Sequence, residues 1–281
     1  MMAYEAYIGR SETMVDHVSA AAITRLAATL DLAPDIVAPG GFLPPLWHWM
    51  LFQTWVAASA LGPDGHPRRG GFLPPIHDLA RRMWAGGRVA LHAPLAPAMK
   101  IQRTSTILAI REKSGGSGRL VFVTLRHDIA GPDGVVAISE EQDIVYRGAE
   151  GAAVRPAIAA PTPPPGAFSR VVTPDAVMLF RYSALTGNGH RIHYDLDYVT
   201  REEGYPGLVV HGPLQATLLV DLLRRHLPQG KRLARLHFRG QRPAFHDRAL
   251  TLVGWREGDG YHLESRDAEG ATCMSAEAEL A

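Results

Sequence analysis

A proline-rich segment from Gly148 to about Arg170 divides the 281-residue chain into two parts. It contains five prolines and few large apolar side chains. Such a composition favours extended polyproline II backbone and cannot form a hydrophobic core. We therefore predict an N-terminal domain over residues 1–147, a semi-rigid linker over residues 148–170 and a C-terminal domain over residues 171–281.

The two predicted domains carry the same order of sequence patterns. In each, a helical stretch precedes an almost wholly apolar helix, placed at Leu46–Leu61 in the first domain and at Pro213–Arg225 in the second. Four runs rich in β-branched and aromatic residues follow, and turn-forming residues separate them. This self-similarity predicts an internal repeat.

An apolar helix without a polar face must be buried on nearly all sides. A curved antiparallel sheet wrapped around the helix buries it, and two such sheets side by side protect their edges. We therefore predict an α+β fold of two tandem units, each an antiparallel sheet wrapped around a long apolar helix. Two unrelated α+β domains are the alternative, which the shared order of elements disfavours. Four aromatic residues of the first helix are predicted to lie in the core: Trp47, Trp49, Phe52 and Trp55.

Charge and cysteine content exclude several classes of protein. Lys and Arg total 29 against 28 for Asp and Glu, so no strong field attracts nucleic acid or an anionic membrane. The single cysteine, Cys273, excludes an internal disulfide framework and multi-cysteine zinc or iron–sulfur sites. The sequence shows neither a secretory signal nor an apolar run of about 18 residues. We expect a soluble, cytoplasmic protein without nucleic-acid or membrane partners.

A polar loop in the C-terminal domain holds the residues best suited to chemistry. The preceding helix is predicted to run from Pro174 to about Leu185, and Gly187 supplies the left-handed cap that stops it. The loop Asn188–His193 follows, and Asp195 then caps a short helical turn. His193 has the one side chain that ordinarily titrates near neutrality, which suits it to proton transfer.

The second apolar helix begins with the sequence His211-Gly212-Pro213. Proline suits the first helical position, and the glycine before it leaves the backbone accessible. Unpaired N–H groups at a helix N-terminus, together with the helix dipole, stabilise negative charge such as that of an enolate. The loop and this helix start therefore predict a proton-transfer group beside an oxyanion site.

These motifs resemble those of the MaoC-like enoyl-thioester hydratases and dehydratases, which have the hot-dog fold. Thr186–His193 is similar to that family's signature of approximately Ser-Gly-Asp-x-Asn-Pro-Ile-His, and Val210–Pro213 resembles its His-Gly helix start. The runs GGFLPP, RMWAGG, LVFVTLRHDI and SEEQDIVYR extend the resemblance to both halves, and to the double hot-dog branch. That branch holds mesaconyl- and itaconyl-CoA hydratases and type-2 hydroxyacyl-thioester dehydratases.

The resemblance implies roles for particular residues. His193 matches the family's catalytic histidine, and Gly212 matches the glycine whose N–H holds the thioester oxygen. Asn188 stands where the common enzymes have a catalytic aspartate. Because an amide neither takes nor gives a proton at neutral pH, we expect His193 alone to move the proton while Asn188 orients the water.

Four further residues are expected to bind the substrate: Arg191, His190, His211 and Pro213. The Arg191 guanidinium is either an ordinary surface charge or a bidentate partner for a dicarboxylic acyl group. Four arginines are candidates for binding the coenzyme A phosphates: Arg88, Arg103, Arg239 and Arg242.

The resemblance implies a hydro-lyase that adds water to, or removes it from, the double bond conjugated to a coenzyme A thioester. A short acyl group, branched or dicarboxylic, is favoured. The acyl-CoA is the expected partner, no metal or other cofactor is expected, and the expected assembly is a homodimer or higher homo-oligomer. The N-terminal domain lacks both motifs, so its expected role is to shape the pocket.

Two other functions and a metal site remain open at this point. A hot-dog thioesterase would direct water to the carbonyl carbon, although position 188 lacks the carboxylate that such enzymes use. A non-catalytic acyl-thioester-binding protein is the second alternative. His190 and His193, beside Asp195, Asp197 and His211, form the competing metal-binding pattern, which lacks a fixed carboxylate or cysteine at a recognised spacing.

Overall fold

The computed structural model describes residues 4–33, 36, 41–115, 118–148 and 158–281. The strands in these ranges are Ser11–His17 (β1), Arg81–Leu91 (β2), Lys100–Gly115 (β3), Gly118–Ala130 (β4), Val136–Arg147 (β5), Phe168–Val172 (β6), Leu233–Gly240 (β7), Leu250–Glu257 (β8), Gly260–Arg266 (β9) and Thr272–Leu280 (β10). The α-helices are Ala20–Thr29 (α1), Ala176–Thr186 (α2), Leu196–Arg201 (α3) and Gly212–Arg224 (α4). None of the helices in these ranges combines the length and apolarity needed to cross a membrane.

The strands form one antiparallel sheet in the order β1-β3-β4-β5-β2-β7-β10-β9-β8-β6. The N-terminal half supplies the first five positions and the C-terminal half supplies the last five. Counted inward from its outer edge, each half follows the same path: its first, third, fourth, fifth and second strand. This shared topology confirms the predicted tandem repeat.

The two halves join where β2 pairs with β7, from Gly86 opposite Arg239 to Ala90 opposite Arg235. Glycine is needed in this seam, because a Cβ on Gly86 would lie 2.5 Å from the carbonyl oxygen of Phe238. Each half therefore covers a sheet edge that the other would expose.

Helix α4 is the buried centre of the C-terminal half, as predicted. Every side chain from Leu214 to Leu223 is buried. The polar ones among them are paired: Gln215 accepts a hydrogen bond from Ser265, and Asp221 forms an ion pair with Arg170. A helix enclosed on all sides needs this combination of apolar residues and satisfied polar groups.

The long helix predicted for Leu46–Leu61 is not formed, and that prediction is wrong. Trp47–Met50 and Ala58–Ala60 are short 3-10 turns, and the residues between them are non-helical. The segment is rich in aromatic and β-branched residues, which have low helix propensity. A tertiary contact also fixes a different path, because the N–H of Phe52 donates to the Asp16 carboxylate on β1.

The loss of that helix also changes the exposure of one aromatic residue. Trp47 and Phe52 are buried and Trp49 is half-buried, as expected for core residues. Trp55, in contrast, is 76% exposed, so its prediction as a core residue is wrong. The predicted burial of Trp55 depended on a helix that the chain does not form.

Two segment boundaries differ from the sequence patterns. The first predicted helical stretch begins near Val15, but its first residues form the end of β1. Helix α1 starts only after Ser19. The Ser19 hydroxyl caps this helix by accepting a hydrogen bond from the N–H of Ala22. Residues 149–157 of the predicted linker lie outside the described residues. Strand β6 begins at Phe168 and pairs with β8, so the last linker residues belong to the sheet.

Candidate active site

The loop that carries the predicted motif follows helix α2. Gly187 has φ = 63°, the left-handed conformation that ends a helix, and the N–H of Asn188 donates to the carbonyl oxygen of Ser183. The Asn188 side chain turns back, so that its Oδ1 accepts a hydrogen bond of 3.0 Å from the N–H of His190. This bond orients the amide, and its Nδ2 group remains as the donor that can hold a ligand.

His193 lies at the end of the 3-10 turn Arg191–His193 and is 6% exposed. Its Nδ1 is 2.7 Å from the carbonyl oxygen of Val209, and since a carbonyl only accepts, Nδ1 carries the proton. The other ring nitrogen, Nε2, is therefore an unprotonated acceptor. Burial lowers the pKa of His193 to about 4, so the ring is neutral near pH 7. These properties are those of a general base.

His193 belongs to a row of four imidazole rings. Its ring stacks on His211 with centroids 3.6 Å apart and lies 5.7 Å from His190, which is 4.3 Å from His66. His211 is wholly buried, and the Ser183 Oγ lies 2.8 Å from its Nε2. Burial lowers the pKa of all four histidines, to about 2 for His190, so the row is uncharged near pH 7.

Helix α4 begins at Gly212 with Pro213 in its first turn, as predicted. No described residue accepts a hydrogen bond from the Gly212 N–H. A Cβ at Gly212 would touch only Met274, at 3.8 Å. Packing therefore does not require glycine here, and the missing side chain keeps the N–H accessible to a ligand.

A loop of the N-terminal half, residues 62–66, holds the motif loop in place. The N–H of Arg191 donates to the Asp64 carbonyl oxygen at 2.9 Å. Gly65 has φ = 86°, and a Cβ on it would overlap the Gly189 carbonyl oxygen. Both halves of the chain thus build the motif loop, a contribution that sequence reasoning missed because no local motif marks residues 62–66.

The structure does not support Arg191 as a partner for a substrate carboxylate. Its Nε and Nη2 donate to Asp195 Oδ2 at 2.9 and 2.7 Å, and its Nη1 donates to the carbonyl oxygen of Pro63. The guanidinium also lies 4.3 Å from the centroid of the Tyr198 ring. It is therefore already occupied, and it ties the motif loop to α3 and to the N-terminal half.

The metal-binding pattern that the sequence suggested as an alternative is not assembled. Asp195 caps helix α3 and Asp197 is exposed, so neither completes a set of ligands. A different group forms instead, in which donor atoms of Asp64, His66 and His190 lie within 4.8 Å of one another. His66 Nδ1 is 3.1 Å from Asp64 Oδ2, and this hydrogen bond positions the His66 ring against His190.

A cavity of about 180 Å³ is lined by residues of both halves. Two of the predicted site residues, Asn188 and Pro213, line it. The others do not: His190, Arg191, His193, His211 and Gly212. The N-terminal half supplies aromatic rings and five polar side chains to the wall: His48, Arg103, His127, Glu140 and Gln142.

The carboxylate of Glu140 organises this wall. Its Oε2 lies 3.0 Å from His48 Nε2, and its Oε1 accepts hydrogen bonds from Trp49 at 2.8 Å and Gln142 at 2.9 Å. Burial opposes ionisation, but these hydrogen bonds hold the pKa of Glu140 at about 2. The only sequence signal for Glu140 was its position two residues after Ile138, on the same inward face of β5.

The arginines predicted to bind coenzyme A phosphates lie in different surroundings. Arg88 forms ion pairs with two carboxylates of β5, and Arg242 forms one with Asp267. Arg103 lines the interior cavity, whereas Arg239 lies exposed near the end of β7. The phosphate-binding residues therefore remain a prediction.

Comparison with known proteins gives consistent matches along the chain. The family model described as hydroxyacyl-thioester dehydratase type 2 matches residues 46–246. The mesaconyl-C4-CoA hydratase of Chloroflexus aurantiacus is 46% identical over 280 residues, which cover 98% of this chain and 97% of that protein.

Solved structures show the same fold. A MaoC-like dehydratase superposes with a TM-score of 0.74 at 14% identity, covering 99% of this chain and all of that one. A Mycobacterium tuberculosis protein described as having a double hot-dog fold superposes with a TM-score of 0.63 at 13% identity, covering 98% of this chain and 96% of that one. The chain therefore belongs to the hydroxyacyl-thioester dehydratase type 2 family, among the MaoC-like hydratases and dehydratases with the double hot-dog fold.

Proposed function

We propose that this hydratase and dehydratase of coenzyme A thioesters acts on a short enoyl-CoA whose acyl group is branched or dicarboxylic. The name of the Chloroflexus relative specifies mesaconyl-C4-CoA, and this supports an acyl group that is branched and dicarboxylic. The cavity also supports a short chain, because its volume is only about 180 Å³.

The hydrogen bond between His193 Nδ1 and the Val209 carbonyl is the observation that carries the mechanism. It leaves Nε2 as the basic nitrogen. In hydration, Nε2 takes a proton from water as the water oxygen bonds to the β-carbon. The electron pair of the double bond moves onto the thioester, and the imidazolium then returns a proton to the α-carbon. Dehydration runs the same steps in reverse.

The charge that collects on the thioester oxygen needs a fixed donor. We assign this role to the Gly212 N–H at the start of α4, where the helix dipole adds to the hydrogen bond. One such donor is worth on the order of 10²–10³ in rate. Pro213, the next residue, lines the cavity and brings this helix start close to its contents.

The remaining predicted residues position these groups. Asn188 lines the cavity and holds the attacking water through Nδ2, so it needs no charge. His211 and His190 hold the His193 ring from two sides. The reaction then uses only water and groups of the chain, and we propose that no cofactor takes part. We also propose that the protein is a cytoplasmic homo-oligomer. Size-exclusion chromatography with light scattering tests the oligomeric state.

Hydration of an acyl-CoA panel tests the proposed function. Mesaconyl-C4-CoA, crotonyl-CoA and a sixteen-carbon 2-enoyl-CoA are each mixed with the protein, and the enoyl-thioester absorbance is followed. We expect fast loss of absorbance with a short substrate and little with the long one. A thiol reagent in parallel samples measures free coenzyme A. Preference for the long chain, or thiol release without hydration, would refute the proposal.

Replacing Gly65 with alanine is expected to lower kcat/KM by about 10²-fold. The new Cβ overlaps the Gly189 oxygen, so the motif loop must shift, and a misplacement of about 1 Å can cost this much. Steady-state kinetics measures the effect. Gly71→Ala is the control, because a Cβ there meets nothing within 4 Å. Equal activity of the two variants would show that residues 62–66 do not position the motif loop.

A further inference from the structure

We propose that Arg103 binds a free carboxylate of the acyl group, so that the site selects enoyl-CoA thioesters of dicarboxylic acids. The inference rests on the proposed function, which makes the cavity the acyl pocket. Arg103 lies in β3, so the N-terminal half would take a direct part in substrate recognition. The partner of the substrate carboxylate would then lie outside the motif loop.

The cavity connects Arg103 with the proposed catalytic end. Its wall includes Asn188 and Pro213 from the C-terminal half and Arg103 from the N-terminal half. Among the described residues that line it, Arg103 is the only lysine or arginine. His127 also lines the wall, but burial lowers its pKa, so it adds no second charge near pH 7.

The Arg103 guanidinium lacks a partner of opposite charge. Within the described part of the chain it forms no ion pair, and its one hydrogen bond runs from Nη2 to the Met14 sulfur at 3.1 Å. A thioether is a weak acceptor. The Nε atom is buried and has no hydrogen-bond partner, and the guanidinium carbon lies 5.1 Å from the Phe52 ring centroid. Burial accordingly lowers the pKa of Arg103, although an arginine stays charged in proteins.

Two other arginines with little exposure show the usual arrangement, in which a carboxylate of the chain neutralises the charge. Arg81 forms an ion pair with Glu203 at 3.0 Å, and Arg266 forms one with Glu264 at 2.7 Å. A buried charge without a partner is destabilising, so it is retained where a function requires it. Arg103 departs from this pattern at the wall of the cavity.

The carboxylates nearest to Arg103 are engaged elsewhere. Asp16 Oδ2 accepts from the Phe52 N–H at 2.7 Å, and the two oxygens of Glu140 accept from three side chains. Glu12, on the edge strand β1, is exposed. All three act on Arg103 only through space. Its free N–H groups therefore remain available for the oxygens of a ligand.

A carboxylate fits the geometry of these donors. Two parallel N–H groups of a guanidinium match the two oxygens of a carboxylate. The proposal places the thioester at Gly212 and the free carboxylate of a dicarboxylic acyl group at Arg103, and holding both ends would fix the carbon that receives water.

The test compares two substrates that differ only at the group that Arg103 would bind. Mesaconyl-C4-CoA carries a carboxylate where 3-methylcrotonyl-CoA carries a methyl group. We expect Arg103→Met to lower the ratio of kcat/KM for mesaconyl-C4-CoA over 3-methylcrotonyl-CoA by about 30-fold to several thousand-fold, the range for breaking a buried charge pair. Arg103→Lys keeps the charge but loses the planar fork, so it should restore part of the ratio.

Arg126→Met is the matched control, because Arg126 is exposed on β4 and pairs with Asp128 outside the cavity. It should leave the ratio unchanged. The Tm of Arg103→Met should equal or exceed that of the wild type, because an unpaired buried charge is removed. An equal loss on both substrates, or a wild type without preference for the carboxylate, overturns the inference and leaves the proposed hydration intact. A wild type that hydrates neither substrate overturns both.

Discussion

Replacing His193 with glutamine is expected to lower kcat/KM for hydration by about 10²–10⁴-fold, the usual effect of losing a general acid–base group. Glutamine can still donate a hydrogen bond to the Val209 carbonyl, so the motif loop should stay folded. The measurement is initial-rate kinetics on mesaconyl-C4-CoA, with circular dichroism to check folding. His237→Gln is the control, since His237 is exposed on β7. If His193→Gln kept more than about a tenth of the activity, the proton would have to move through another group.

The pH dependence of the wild type provides a second test of the same histidine. Burial lowers the pKa of His193 to about 4, and a base accepts a proton only when it is neutral. We therefore expect kcat/KM to stay level from about pH 8 to pH 5 and to fall as the pH drops through about 4. A fall centred near the ordinary histidine pKa of about 6.5 would mean that the ring is solvated in the free enzyme.

Replacing Glu140 with alanine is expected to lower the free energy of unfolding by about 3–5 kcal/mol. The change leaves the N–H donors of His48, Trp49 and Gln142 without their acceptor in a buried site. Urea unfolding followed by tryptophan fluorescence measures the difference. Glu141→Ala is the control, because Glu141 is half-exposed and its ion pair with Arg88 is worth about 0–1 kcal/mol.

The stability difference should also depend on pH. The folded pKa of Glu140, about 2, lies below the unfolded value near 4.3, so its ionised form stabilises the folded protein above that value. The contribution declines as the pH falls from about 4.3 through 2. We expect the free energies of unfolding of the wild type and of Glu140→Ala to converge over that range. Equal unfolding midpoints for the two alanine variants near pH 7 would show that Glu140 does not organise the wall.

Local signals in the sequence predicted the C-terminal half well. Gly187 ends α2, Asp195 caps α3 and Gly212 begins α4, because each of these boundaries depends on residues within a few positions. The apolar run of α4 is buried on all sides, which its composition required. The sequence carried no signal for the hydrogen bond between His193 and the Val209 carbonyl oxygen.

Sequence reasoning failed where distant contacts decide the structure. The segment after Leu46 is apolar enough for a helix, but Asp16 and Glu140 bind its backbone and side chains in another conformation. Arg191 was expected to bind the substrate, but its guanidinium pairs with Asp195, four residues along the chain, and with the distant carbonyl oxygen of Pro63. Hydrogen-bond partners many residues apart leave no periodic pattern in a single sequence.

The seam between β2 and β7 limits how a duplicated fold of this kind can evolve. The C-terminal half contains the long buried helix α4 and the motif loop, whereas the N-terminal half forms only short 3-10 turns over Leu46–Leu61 and supplies most of the polar side chains of the cavity wall. Under the proposed mechanism, substitutions in the N-terminal half can therefore shift substrate preference without altering the groups that move protons. Neither copy can be deleted, however, because a lone half would expose a bare strand edge at the seam, and the loop after α2 would lose its contact with Gly65. The seam therefore makes the two halves structurally dependent on each other.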